Sequence, residues 1–282
     1  AIELLSQTSK STSIIGQNSL YIIGDCYINL GQLSLASQTF YEAYKMKIDP
    51  EITEDALYNY AKLQYETSNQ PFNSAIRALE EYINEYPNST RSEEASSYLS
   101  KIYMSTKNYQ GAITSLEKIS NKNPSLLKAY QRCTYFRTLE LINNKEYTKA
   151  ATMLEKTIKY PMDKQINLSA LYWKGEIEYR TSKYSDAISS LRAYQRNESA
   201  KNNEYYDISN YTLGYAYLKT FKYSDGISAF NAYLNGSDKD INLISDATIR
   251  IADCYYMERN VSKALSFYQK AEQYNSGKKD YI

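Results

Sequence analysis

A pattern of residue sizes returns seven times in this chain. A small residue is followed 12 to 14 positions later by Ala or Gly, and four positions after that by a bulky apolar residue. The trios are Gly24/Ala36/Phe40, Ala61/Ala75/Leu79, Ser100/Ala112/Leu116, Thr138/Ala150/Leu154, Gly175/Ala187/Leu191, Gly214/Gly226/Phe230 and Ala252/Ala264/Tyr268. Their first members lie 37, 39, 38, 37, 39 and 38 residues apart. A repeat of this length is one supersecondary unit that cannot bury its apolar face alone, so the units must stack into a solenoid. The expected fold is therefore all-α, an elongated array of about seven helix-turn-helix repeats.

Each period divides into two helices. In the seventh, Ala247, Ile249, Ile251, Ala252 and Tyr255 recur at helical spacing, Met257 to Asn260 form a polar turn, and Ala264, Leu265, Phe267, Tyr268 and Ala271 share one side of a second helix. The small residues let two helices approach closely, and the large residue fills the neighbouring gap. Pro87, Pro124 and Pro161 fall 12, 12 and 11 residues after Ala75, Ala112 and Ala150, where a second helix should have ended. The turn Asn69-Gln-Pro-Phe72 accounts for the longer internal gap of repeat two.

Composition removes several functions. The chain has 33 basic and 32 acidic residues, a net charge of +1, and so no global field to steer nucleic acid. It contains no histidine, which removes His-dependent triads, proton shuttles and almost every His-containing zinc site. Cys26, Cys133 and Cys254 lie in three different repeats without a CxxC pair, and they read as inert core thiols. No catalytic residue, metal site or cofactor is implied, and no apolar run is long enough to span a bilayer.

Small residue, Tyr three later, Ala twelve later, a large apolar residue sixteen later and a small residue nineteen later is a pattern that resembles the tetratricopeptide repeat family. Gly24, Tyr27, Ala36, Phe40 and Ala43 carry it most fully. The resemblance implies a right-handed superhelix with repeats at approximately 17–50, 54–90, 93–126, 131–163, 168–200, 207–240 and 245–277, and one domain over 1–282. Thr138, Ser100 and Gly226 depart from it, and looser packing is expected at those repeats. The lone Trp173 is two positions from the family's tryptophan and reads as local packing. Residues 1–16 match the end of a preceding repeat, because Ala1-Ile2-x-x-Leu5 repeats Ala75-Ile76-x-x-Leu79. Residues 278–282 look like the start of a following one. The long period and the Tyr-Pro-Asn-Ser at 86–89 are also similar to long bacterial cell-envelope proteins of this family, which implies an envelope location, with the cytoplasm as the alternative.

Tyrosine is the second anomaly, at 32 residues. Tyr21, Tyr58, Tyr135, Tyr172 and Tyr211 stand three before the small residue, and Tyr65, Tyr179 and Tyr256 stand four after it. These positions are seven apart and share one helix face. In the resembled family that face lines the concave groove. One residue after the small residue stand Asp25, Lys62, Lys101, Leu139, Glu176, Tyr215 and Asp253, a mixed-charge series unlike the family's carboxylate clamp. The polar members, Tyr215 and the tyrosines together form a candidate groove for an extended or helical protein segment, since Tyr offers rigid contact area with a polar tip. Three readings of the rings stand open: packing between neighbouring first helices, recognition of a partner, and burial by more of the same chain. The function expected is a non-catalytic protein-interaction scaffold. The alternatives are a structural spacer in an envelope assembly, a helical-repeat RNA binder, and a glycosidase using a pair such as Glu176/Glu178 or Glu93/Glu94. Self-association through open repeat ends is a further expectation.

Overall fold

A computed structural model describes residues 1–67, 72–237 and 240–274. Among the described residues there are fifteen α-helices, one short 3-10 helix and no strand. The chain forms two compact units, Ala1–Cys133 and Thr134–Ile282. The first holds α1 (Ile2–Thr8), α2 (Ile14–Asn29), α3 (Leu33–Met46), α4 (Pro50–Thr67), α5 (Asn73–Glu85), α6 (Ser92–Thr106) and α7 (Tyr109–Lys118). The boundary falls inside α8 (Pro124–Asn143). The second continues with α9 (Tyr147–Lys159), α10 (Lys164–Arg180), α11 (Tyr184–Gln195), the 3-10 turn Glu198–Asn202, α12 (Tyr206–Lys219), α13 (Tyr223–Leu234), α14 (Ile241–Met257) and α15 (Val261–Glu272). Consecutive helices pack on one another from α1 to α7 and from α9 to α15, and first helices also touch: α2 with α4, α4 with α6, α10 with α12, and α12 with α14.

The size pattern is realised as a close approach within each helix pair. A Cβ built on Gly24, Gly175 or Gly214 would meet Phe40, Leu191 or Phe230 at 2.8, 2.5 or 2.6 Å. In these three trios the large residue thus lies on its own small residue, and both are buried. At Gly226 a Cβ would find only ordinary contacts, 3.5 Å to Cys254 Sγ and to the Gly214 carbonyl. Cys133 and Cys254 are buried, and burial pushes both thiols up to about 12. Cys26 is half-buried.

The turn inside the repeat is fixed by backbone geometry. Gly31, Lys107, Lys145, Ser182, Phe221 and Arg259, each seven residues after the small residue, all have φ between 52° and 70°. Five of these turns close with the same two bonds, as where Gly31 N–H donates to the Ile28 carbonyl and Gln32 N–H to that of Tyr27, both at 2.9 Å. This is the Schellman arrangement, which satisfies carbonyls left over at the helix end. The Asn69–Phe72 turn of repeat two lies largely outside the described residues, as do residues 278–282. Polar caps start several first helices. Asp49 accepts from Glu51 and Ile52 N–H at 3.0 Å, and Asn123 accepts from Leu126 N–H at 3.0 Å. In both cases proline follows the cap as the first helical residue, where its missing N–H costs nothing. Pro124 therefore opens α8 instead of trailing α7, and the helix begins seven residues ahead of the expected repeat start at 131.

Candidate protein-binding surface

Three of the tyrosines placed three before the small residue act as tethers between repeats. Tyr21 Oη donates to Asp55 at 3.4 Å, Tyr58 Oη to Glu94 at 2.5 Å, and Tyr211 Oη to Asp246 at 2.8 Å. Each acceptor stands six residues before the small residue of the next repeat, so the bond recurs at a sequence separation of 34 to 36. Sequence reasoning missed this register, although Asp55, Glu94 and Asp246 occupy it together. The two tyrosines whose next repeat offers no acid there, Tyr135 and Tyr172, are buried at 7% and 4% exposure, as the tethering Tyr58 is at 7%. Tyr172 stacks on Tyr205 with centroids 4.6 Å apart and planes within 2°. Trp173 meets the edges of both rings at 5.0 and 5.3 Å.

The electrostatics follow from these contacts. Burial raises the Tyr58 and Tyr211 hydroxyls, and the neighbouring carboxylates add to the shift. Glu94 moves the other way, lowered first by the hydrogen bond from Tyr58 and then by that from Tyr98. Asp25 is raised by burial and by Asp55.

In the first unit Tyr65 and Lys101 come together at one smaller cavity, of about 380 Å³. Tyr65 stacks on Tyr98 at 4.5 Å, Lys101 lies over the same Tyr98 ring at 5.6 Å, and Lys62 contributes to the field at Glu94. In the second unit Asp253 is taken up by Tyr268 and Arg250, at 2.7 and 2.6 Å, while Tyr256 stands exposed.

Five of the fourteen candidates converge. Tyr172, Glu176, Tyr179, Tyr211 and Tyr215 line one cavity of about 730 Å³ on the first-helix face of α10 and α12, whose walls also include Tyr147, Trp173, Lys145, Arg180 and the apolar Ile142, Ile208 and Leu243. Glu176 is 6% exposed, and its carboxylate accepts from Arg180 Nε at 2.7 Å and Thr212 Oγ1 at 2.8 Å. Arg180 and Thr212 thus satisfy the buried charge, which leaves aromatic faces, the apolar Ile142, Ile208 and Leu243, and one cation, Lys145, as the cavity's chemistry. Glu178, the other half of the suggested carboxylate pair, lines a different cavity, so the two do not face one another. Among the described residues no group of three or more Cys, Asp or Glu is placed to hold a metal, and no helix is long and apolar enough to cross a membrane.

Tetratricopeptide repeat models match residues 55–89 and 139–202. No curated protein matches the chain. Solved structures with a similar fold include YrrB, described as a TPR protein with an unusual peptide-binding site. It is 16% identical, with a TM-score of 0.47, over 71% of this chain and 93% of that one. BtubC from P. vanneervenii is 13% identical with a TM-score of 0.49 over 79% and 91%. A tetratricopeptide repeat protein from Parabacteroides merdae is 13% identical with a TM-score of 0.36 over 93% and 94%.

Proposed function

We propose that this tetratricopeptide-repeat chain is a non-catalytic scaffold that holds an extended or helical segment of another protein against the first-helix face of its second unit. The observation that carries the reading is the cavity walled by Tyr172, Tyr179, Tyr211 and Tyr215. Rings already fixed by packing lose little entropy on binding, which suits them as anchors. Lys145 at the same cavity favours a segment that brings acidic or aromatic side chains. Tyr179 is the residue to alter, because it is half-buried and makes no tether. Peptides selected on the wild-type chain from a random display library should bind the Tyr179→Ala variant at least tenfold more weakly, the size of an anchor worth about 1.4 kcal/mol or more. Equal affinity for both, with helicity unchanged, would remove this cavity as the binding surface. An envelope location is part of the same proposal and rests on the resemblance alone; recovery of the protein in the cytosolic fraction of its source cells would overturn it.

A further inference from the structure

Half-buried rings line the cavity on the first-helix face of α10 and α12: Tyr147, Tyr179, Tyr211 and Tyr215, beside the apolar Ile208 and Leu243. The rings lean on one another at steep angles. Tyr179 and Tyr215 lie 6.3 Å apart with planes at 53°, and Tyr211 meets Tyr215 edge-on at 5.1 Å. Neither pair is stacked face to face, so the rings do not use up their faces on each other. The Tyr211 and Tyr215 hydroxyls both donate to Asp246. What these two residues hold for a ligand is therefore ring surface, with the hydroxyl protons already given.

Acceptors are scarce at the same place. Among the described residues the wall holds one carboxylate, Glu176, and its two oxygens already accept from Arg180 and Thr212. The elements around it are helices, whose backbone bonds are internal, so no strand edge is offered to a guest backbone. Donors are at hand instead, in the exposed Lys145 and Asn143. An ordinary extended segment would bring an N–H at every residue and find few acceptors, which is costly. A saccharide also stacks on aromatic rings, but its many hydroxyl donors meet the same shortage. A helix satisfies its own N–H groups, but at about 10–12 Å across it brings only side-chain tips to such a cavity. Proline has no N–H. A polyproline II segment is slender, offers carbonyls to donors and flat rings to aromatic walls, and is stiff before it binds.

We propose, on the protein-binding reading given above, that this cavity receives a proline-rich segment of another protein in the polyproline II conformation. Its pyrrolidine rings sit against Tyr179, Tyr211 and Tyr215, and its carbonyls accept from Lys145 and Asn143. The chain has five prolines, the closest two sixteen residues apart, so neither it nor a second copy carries such a segment within this sequence.

Trp173, the one tryptophan of the chain, lies in the cavity wall, so its emission reports occupancy of this site. The probes are acetyl-hexaproline amide, acetyl-hexaalanine amide and cellohexaose, titrated against the whole chain with excitation beyond the tyrosine band. Hexaproline should change the emission saturably and bind about tenfold tighter than hexaalanine, and Tyr179→Ala should weaken it by about the same factor. If that variant fails to fold, the methyl resonances of Ile142, Ile208 and Leu243 locate the peptide on the wild type, and all three should move. Equal affinity for the two peptides, or hexaproline binding that leaves those methyls unmoved, would overturn the assignment. Tighter binding of cellohexaose than of hexaproline would give the cavity to a saccharide and refute it. Library peptides that need Tyr179 but carry no proline, with hexaproline silent, would refute proline recognition and leave the broader binding surface standing. Hexaproline silent and library peptides indifferent to Tyr179→Ala would remove both.

Discussion

Gly214 has no room for a side chain, because a Cβ there would sit 2.6 Å from the Phe230 ring. Gly226, twelve residues on, has that room, since its nearest neighbours would lie at 3.5 Å. The two glycines should respond to substitution with opposite signs. Gly214→Val forces Phe230 from its place and should cost about 2 kcal/mol, within the range for overpacked cores. Gly226→Ala removes helix-breaking freedom without a clash and should gain about 0.5–1 kcal/mol. Urea midpoints at constant slope decide both, and the same sign for the pair would refute the packing account. Phe221 poses a different problem. Its φ of 60° is a conformation bulky residues rarely hold, and its side chain is 76% exposed, so little packing compensates. Phe221→Gly should raise stability by roughly 0.5–1 kcal/mol, with a higher thermal midpoint as the check.

Between helices, the tyrosine tethers are the device that sets one repeat against the next. Tyr58→Phe keeps the ring and removes only the bond to Glu94. Glu94 is exposed and can rehydrate, so the stability loss should fall below the usual range for a charged acceptor, at about 1 kcal/mol. A sharper readout is Glu94 itself, whose titration should move back up toward the ordinary carboxylate value when its first donor is lost. An unmoved titration would mean the bond does not form. Asp246 gathers Tyr211, Tyr215 and Arg250 and is 6% exposed. Asp246→Ala removes the acceptor of both Tyr211 and Tyr215 while Arg250 keeps Asp253, so it should cost distinctly more than the single tether, about 2 kcal/mol, which the same urea titration would measure.

For the whole molecule, the absence of histidine makes stability insensitive to pH across the neutral range. Glu94 is lowered on folding, so its contribution is complete above the unfolded carboxylate value and is lost as pH falls through the folded one. Asp25 is raised and acts in the opposite sense over the same acidic window. Cys133 and Cys254, at about 12, and raised tyrosines such as Tyr82 and Tyr98 contribute stability below their unfolded values and lose it as pH climbs through the folded ones. The unfolded values are roughly 8.5 for thiols and 10 for phenols. Urea midpoints should therefore be flat between about pH 5.5 and 8 and fall on both sides. A slope between about pH 6 and 8 would point to a titrating group outside this account.

The spacing of Gly24, Gly175 and Gly214 from Phe40, Leu191 and Phe230 was enough to locate the helix pairs, because close helix approach has one steric solution and its residues must recur at its period. Cys254, two residues after Ala252, lies in the core as that spacing implies, but Cys26, two residues after Gly24, is only half-buried, and Cys133 is buried at a position the spacing does not mark. The fate of the tyrosines was not legible. Whether a ring on the first-helix face tethers, stacks or lines a cavity depends on which residue the next repeat presents across the gap. Tyr211 meets Asp246, and Tyr172 meets Tyr205. Those pairings join positions 33 to 35 residues apart through a geometry that a period alone does not specify. Glu176 and Glu178 show the limit most plainly. Two positions apart in sequence, they project from different sides of α10: Glu176 pairs with Arg180 one turn on, a spacing the sequence shows, but only the packing of α12 brings Thr212 to it, and only the packing of α9 makes Glu178 part of a cavity wall.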